Sequence, residues 1–124
     1  MHVISVLQNL TKRSTIFYMS IIFDQSAYKH FAEDRLSEDQ IMKALRSPLW
    51  AALVDPHNDA SCHPIHLKPP VTLFICKRHP GALDNDLIEI FVTMRGHDMH
   101  IFHVEHLTDR WKSYWRRYKD HGQI

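Results

Sequence analysis

The sequence predicts an α+β domain in which an N-terminal strand and two helices precede a three- to four-stranded antiparallel sheet and a C-terminal helix. We expect the helices to cover one face of the sheet. Three β-rich runs separated by turn residues fill the second half of the chain. Segments with apolar residues at helical spacing lie before and after these runs. The 124 residues, 44% hydrophobic and 23% charged, suit one globular domain.

The chain before residue 36 is predicted to form a strand and a helix. Residues 15–23 contain Ile, Phe and Tyr without a helix or strand breaker, which favours a buried strand. Asp24 or Ser26 then caps a helix that ends near Arg35. The inner face of this helix would consist of Tyr28, Phe31 and Ala32.

A second helix and a long loop are predicted to follow. Ser37 begins the helix, because Gln40 three residues later completes a capping-box pattern, and the helix stops before Pro48. Residues 49–70 contain several prolines and indicate a loop, with at most a brief edge strand at residues 65–67.

The second half of the chain predicts a meander and a last helix. Residues 71–77, 87–95 and 99–106 are β-rich, and turn residues separate them, so we expect three antiparallel strands. Thr108 then caps a helix. Its aromatic residues have the spacing of one buried face: Trp111, Tyr114, Trp115 and Tyr118.

We interpret residues 1–18 as a possible N-terminal extension and residues 19–124 as the domain, because Met19 begins a segment with the pattern of a complete small domain. Lys12 and Arg13 interrupt the apolar runs of the first 23 residues, and neither run has the length of a membrane span. We see no cleavable signal, so we expect a cytoplasmic protein in which Cys62 and Cys76 are reduced thiols.

Histidine is the residue type that most strongly suggests chemistry, with 11 in the chain. His97, His100, His103 and His106 recur every three residues in the last predicted hairpin. Strand alternation puts His100 and His106 on one face with Phe102 and Val104, and His103 on the other with Ile101 and Glu105. This division argues against one metal site built from all four histidines.

The helical part of the chain resembles a known family. Lys29-His30, then Arg35, then Ser37-Glu38 in a second helix that ends at Pro48, followed by a meander and a basic terminal segment, is similar to the BrnT-type and RelE-like toxin endoribonucleases. The order of elements matches over about residues 20–120, and the match is specific in the helices. The resemblance implies a RelE-like fold.

The resemblance also implies cleavage of RNA without a metal or other cofactor, by attack of the 2'-hydroxyl on the neighbouring phosphorus. That reaction needs a base, an acid and cations around the phosphate. We expect His30 or His103 to move protons beside Glu105, and Arg35 and Arg95 to bind the phosphate. The remaining RNA contacts would come from Lys29, Arg110, Lys112, Arg116, Arg117 and Lys119. An antitoxin would be the protein partner, and the chain could form a small homo-oligomer.

Each of these assignments has a structural alternative. His30, His100 and His106 could be partly buried histidines without chemistry, and the last helix, with a net charge of +3 over residues 109–120, could be an ordinary solvated surface. A zinc site could form from Cys62, His63 and His66 with Cys76 or His79.

Two other functions compete with the enzyme. The protein could be a phage- or plasmid-borne inhibitor that docks through Trp50, Trp111 and Trp115, since aromatic residues are favoured at interface hot spots. It could also be a nucleic-acid-binding module without turnover. The overall net charge of +1 favours neither.

Overall fold

In the computed structural model, residues 2–10, 13–57 and 70–120 are described, with side chains for 20–57 and 70–120. The elements in chain order are β1 (His2–Leu10), β2 (Arg13–Phe23), a 3-10 helix (Gln25–Tyr28), α1 (Phe31–Asp34), α2 (Glu38–Ala44), β3 (Trp50–Val54), β4 (Val71–Lys77), β5 (Leu87–Arg95), β6 (Asp98–His106) and α3 (Asp109–Tyr118).

The strands form one sheet in the order β1-β2-β6-β5-β4-β3. Strands β3 to β6 are an antiparallel meander. Strand β2 adds to β6 in parallel, and β1 pairs with β2 in antiparallel orientation at the edge. The predicted α+β class is confirmed, but the described sheet has six strands instead of three or four. The proposed boundary at residue 18 falls inside β2.

Strand β3 is one of the strands that the sequence prediction missed. Its side chains at Trp50, Ala52 and Val54 are buried while those between them are more exposed, which is the alternation of a half-buried strand. The prolines on both sides of this five-residue run favour a loop over residues 49–70, so the sequence does not indicate the strand. The brief strand expected at residues 65–67 lies outside the described residues.

The helix expected from Asp24 or Ser26 to Arg35 is broken into two pieces. The 3-10 helix ends at Tyr28, and α1 is a single turn that begins after His30. Arg35 ends α1 in the left-handed conformation, with φ of 55°. The Ser37 cap is confirmed, because its Oγ accepts a hydrogen bond from the Gln40 backbone N–H at 3.2 Å.

Helices cover both faces of the sheet, not one face as expected. On one face, the 3-10 helix, α1 and α2 pack over a cluster that includes Ile88 and Ile90 of β5. On the other face, α3 places Trp111 and Tyr114 over a cluster that includes Leu87 and Phe91 of the same strand. Seven consecutive residues of β5, 87–93, are therefore buried. Within the described ranges, no helix has the length and apolar character needed to cross a bilayer.

Candidate functional site

Two imidazoles and a carboxylate meet on β6. Nε2 of His30 lies 3.6 Å from Oε2 of Glu105, and Nε2 of His103 lies 3.3 Å from the same oxygen. The centroids of the two rings are 5.9 Å apart. We call His30, His103 and Glu105 the imidazole cluster. Their side chains are 19%, 28% and 26% exposed, so solvent and a ligand can reach the cluster.

The end of β2 creates the place where His30 approaches β6. Strand β2 pairs with β6 only as far as Phe23 opposite Ile101, so beyond that point no described strand lies on the β2 side of β6. The chain from Asp24 onward covers this edge instead. Ser26 Oγ donates to the carbonyl of Phe102 at 2.6 Å. Asp34 accepts a hydrogen bond from the His106 backbone N–H at 2.9 Å, which fixes α1, and with it His30, against β6.

A β-bulge in β6 changes the faces on which the residues before Phe102 lie. Phe91 of β5 lies opposite His103 and Val92 lies opposite Ile101, so Phe102 is an extra residue. The bulge shifts the alternation of the strand by one residue. Ile101 and Val104 consequently belong to the same core cluster.

The predicted sharing of one face by His103 and Glu105 therefore holds, whereas the placement of Ile101 with them was wrong. His100 and His106 were expected on one face, but they lie on opposite faces. His100 is opposite Thr93 and His106 is opposite Ile88, and these two β5 residues are separated by an odd number of positions. His106 Nε2 lies 3.1 Å from the Asn85 carbonyl, and His97 is exposed.

Glu89 is a fourth member of the site, and the sequence prediction missed it. Its side chain is only 1% exposed, and its Oε2 lies 2.9 Å from Nε2 of His103. Its Oε1 accepts hydrogen bonds from the Thr108 backbone N–H at 2.8 Å and from the Thr108 hydroxyl at 2.7 Å. Thr108 occupies the N-cap position of α3, but its hydroxyl donates a hydrogen bond to Glu89 and accepts none from the first turn of α3. Glu89 thus ties β5, β6 and α3 together beneath His103.

The two arginines expected to bind the phosphate lie elsewhere. Arg95 pairs with Asp24 at 3.2 Å, and Asp24 also lies 2.8 Å from Nδ1 of His100, so these three form a second polar group near the start of β6. Arg35 is exposed at the end of α1, where its carbonyl oxygen accepts from Arg78 at 3.4 Å. The expectation that both guanidinium groups join His30 and His103 is not met by the described contacts.

A groove of about 500 Å³ lies on the Arg35 side of the molecule, between α2 and the end of β4. Its charged lining residues are Asp39, Lys43, Lys77, Arg78 and His79. Arg78 is paired with Asp86 at 3.0 Å. The residues that line this groove do not include the imidazole cluster, so the groove is a separate feature.

The cations of α3, and Lys29 between the 3-10 helix and α1, differ in whether their side chains are exposed and available to bind RNA. Arg110 donates to the Pro56 carbonyl at 2.6 Å and stacks 4.7 Å from the Trp111 ring, so it has a structural role. Arg117 lies 5.8 Å from the Tyr118 ring. Arg116, Lys119 and Lys29 are exposed, and Lys112 is partly exposed. Lys29 is the exposed cation adjacent in sequence to the imidazole cluster.

The aromatic stripe of α3 is core packing, as predicted. Trp111 and Tyr114 are each 4% exposed, and Trp115 and Tyr118 pack against the same core cluster. Trp50 is also 4% exposed. Trp50 and Trp111 therefore cannot form the exposed docking surface that the inhibitor alternative requires.

The zinc alternative loses one of its ligands. Cys76 is fully buried in the core, and burial raises the pKa of its thiol to about 12, so the thiolate that would bind zinc is disfavoured. His79 is exposed and lies 3.7 Å from Asp86. Cys62, His63 and His66 lie outside the described residues.

Comparison of the chain with models of protein families, with curated proteins and with solved structures yields no significant match. The resemblance to toxin endoribonucleases therefore stays a prediction.

Proposed function

We propose that this protein is a metal-independent endoribonuclease of the toxin type, in which His30 and His103 are the acid–base pair. The observation that carries the proposal is the meeting of these two imidazoles, from α1 and β6, at one partly exposed point on the sheet. Cleavage by a 2'-hydroxyl needs one group to take a proton from that hydroxyl and a second to give a proton to the 5'-oxygen that leaves. Two adjacent imidazoles supply both.

We assign the role of base to His103. Its Nε2 faces the buried Glu89 carboxylate at 2.9 Å, and such a contact holds the ring with its hydrogen on Nε2. Nδ1 then carries the free lone pair that accepts the proton of the 2'-hydroxyl. Glu89 is a positioning residue in this scheme, because its buried carboxylate acts through the hydrogen bonds described for it, to His103 and Thr108.

We assign the role of acid to His30. Carboxylate oxygens of Glu33 and Glu105 lie 3.6 Å from Nδ1 and Nε2 respectively. In this role the ring gives a proton to the leaving 5'-oxygen, and the carboxylates on its two sides orient it. We assign phosphate binding to Lys29 instead of Arg35 and Arg95, because Lys29 is exposed and precedes His30 in the sequence. An antitoxin that covers the imidazole cluster would be the protein partner of such an enzyme.

The test is cleavage of a single-stranded RNA in the presence of EDTA. The wild-type chain should give products with a 2',3'-cyclic phosphate end, and an oligonucleotide with a 2'-deoxy substitution at the cut site should remain intact. His30→Ala and His103→Ala should each lower the rate by about 100-fold or more, the usual contribution of a proton-transfer group.

His97→Ala is the matched control, because His97 is exposed at the tip of the same hairpin. It should cleave at the wild-type rate. Equal rates for His97→Ala, His30→Ala and His103→Ala, or no cleavage by the wild-type protein, would refute the proposal.

A further inference from the structure

We propose that the imidazole cluster is also a binding site for a divalent transition metal of the zinc class, and that the bound metal switches off the acid–base pair. The binding follows from the geometry of the cluster alone. Only the inhibition rests on the proposed function.

The distances from Glu105 to the two imidazole nitrogens match those between ligand atoms of a tetrahedral metal site. Zinc bonds to imidazole nitrogen and carboxylate oxygen are about 2.0–2.2 Å long, so two ligand atoms of a tetrahedron are separated by roughly 3.3–3.6 Å. The two nitrogen-to-oxygen distances in the cluster are 3.6 Å and 3.3 Å. One ligand atom from each of the three residues lies within 4.8 Å of the other two.

The surroundings of the ligands also match. A histidine that binds a metal usually donates its other ring N–H to a carboxylate. His30 places its nitrogens for this arrangement, because Nε2 faces Glu105 while Nδ1 lies 3.6 Å from a carboxylate oxygen of Glu33. Glu89 supplies a further carboxylate oxygen 2.9 Å from His103 Nε2, next to the position of the metal.

The donor types select the metal. Two imidazoles with one carboxylate suit zinc and its neighbours among the transition metals, whereas magnesium and calcium prefer oxygen ligands alone. Three protein ligands leave the fourth position to water. Metal binding requires the lone pair of His103 Nε2, so the ring hydrogen moves to Nδ1, and neither nitrogen then remains free to accept a proton from RNA.

The experiment is a calorimetric titration of the full, tag-free and metal-free chain with zinc chloride. We expect one zinc per chain, and a visible spectrum of tetrahedral coordination when cobalt replaces zinc. Glu105→Gln removes a ligand charge with little change of volume, and should weaken binding at least 10-fold. Glu33→Gln should weaken zinc binding by about 10-fold, because the carboxylate near Nδ1 of the ligand His30 is lost.

Two control variants locate the site. His97→Ala should bind zinc as the wild type does, and so should a chain with Cys62→Ser, His63→Ala and His66→Ala together. Loss of binding in this triple variant, or unchanged binding in Glu105→Gln with its fold intact by circular dichroism, would place the zinc elsewhere and overturn the proposal. Absence of binding would do the same.

The inhibition is measured separately, as RNA cleavage with and without saturating zinc. Cleavage in EDTA that zinc abolishes supports the proposal. Cleavage that continues with zinc bound refutes the inhibition and leaves the metal site intact. Cleavage that requires zinc refutes both the inhibition and the metal-independent mechanism. If the chain does not cleave RNA in either condition, the proposed function fails and the inhibition fails with it, while the titration still decides the metal site.

Discussion

Replacement of Glu89 by glutamine tests whether the buried carboxylate holds the site together. The new amide has nearly the same volume, and its oxygen can still accept the two hydrogen bonds from Thr108. Its NH2 group, however, would face Nε2 of His103, which the wild-type carboxylate contacts at 2.9 Å. His103 must then lose the hydrogen on Nε2, or two donors face each other.

The cost follows from the bond that is lost. A hydrogen bond to a charged group contributes about 1.5–3 kcal/mol, and Glu89 is 1% exposed, so water cannot replace it. We expect Glu89→Gln to lower the free energy of unfolding by about 1.5–3 kcal/mol. At about 4 °C per kcal/mol for a domain of this size, the Tm falls by roughly 6–12 °C. Glu89→Ala, which removes all three hydrogen bonds, should cost about 3–5 kcal/mol.

Glu105→Gln is the matched control, since Glu105 contacts the same nitrogen of His103 but is 26% exposed. Its cost should be below about 1 kcal/mol. Urea denaturation followed by tryptophan fluorescence measures both, with Trp111 reporting on the core beside Phe91. If Glu89→Gln is no less stable than Glu105→Gln, the network around Glu89 does not stabilise the fold and our account of the site is wrong.

Two further predictions concern Cys76 and Arg35. Burial raises the pKa of the Cys76 thiol from 9.0 to about 12, so as the pH rises the thiol ionises in the unfolded chain before it ionises in the folded one. This ionisation stabilises the unfolded chain. Between pH 8 and pH 10, the free energy of unfolding should therefore fall by about 1.3 kcal/mol more in the wild type than in Cys76→Ala. Equal pH slopes in urea titrations of the two proteins would contradict this. Arg35 has φ of 55°, so Arg35→Gly should raise the unfolding free energy by up to about 1 kcal/mol. RNA cleavage by this variant should be unchanged, and a large loss of activity would restore Arg35 to the site.

The elements that were predicted from the sequence are those with local signals. The strands β4 and β5 have the predicted bounds and β6 begins one residue early, because alternation and turn residues mark them without reference to the rest of the chain. Strand β3 was missed because it is short and lies between prolines. The pairing of β2 with β6 is parallel and joins distant segments, so no local pattern could have indicated it.

The parts of the candidate site that were predicted from the sequence are also those with local signals. Strand alternation correctly placed His103 on the same face as Glu105. The bulge at Phe102, which local sequence does not mark, reversed the expected faces of the β6 residues before it relative to those after it. The approach of His30 is a tertiary contact. Glu89 did have a local signal, because it is a lone charged residue within an apolar buried strand, and such a residue needs a partner.

The parallel pairing of β2 with β6 has a consequence for the synthesis of the protein. It brings together residues such as Asp24 and His100, which are 76 positions apart in the chain. Contacts of such long range form late in folding, because the intervening chain must first be ordered. His30 can meet His103 only after the ribosome has made the segment that separates them. A nascent chain that ends before His103 therefore lacks the pair, and any activity of the pair requires that β6 has been made and has folded.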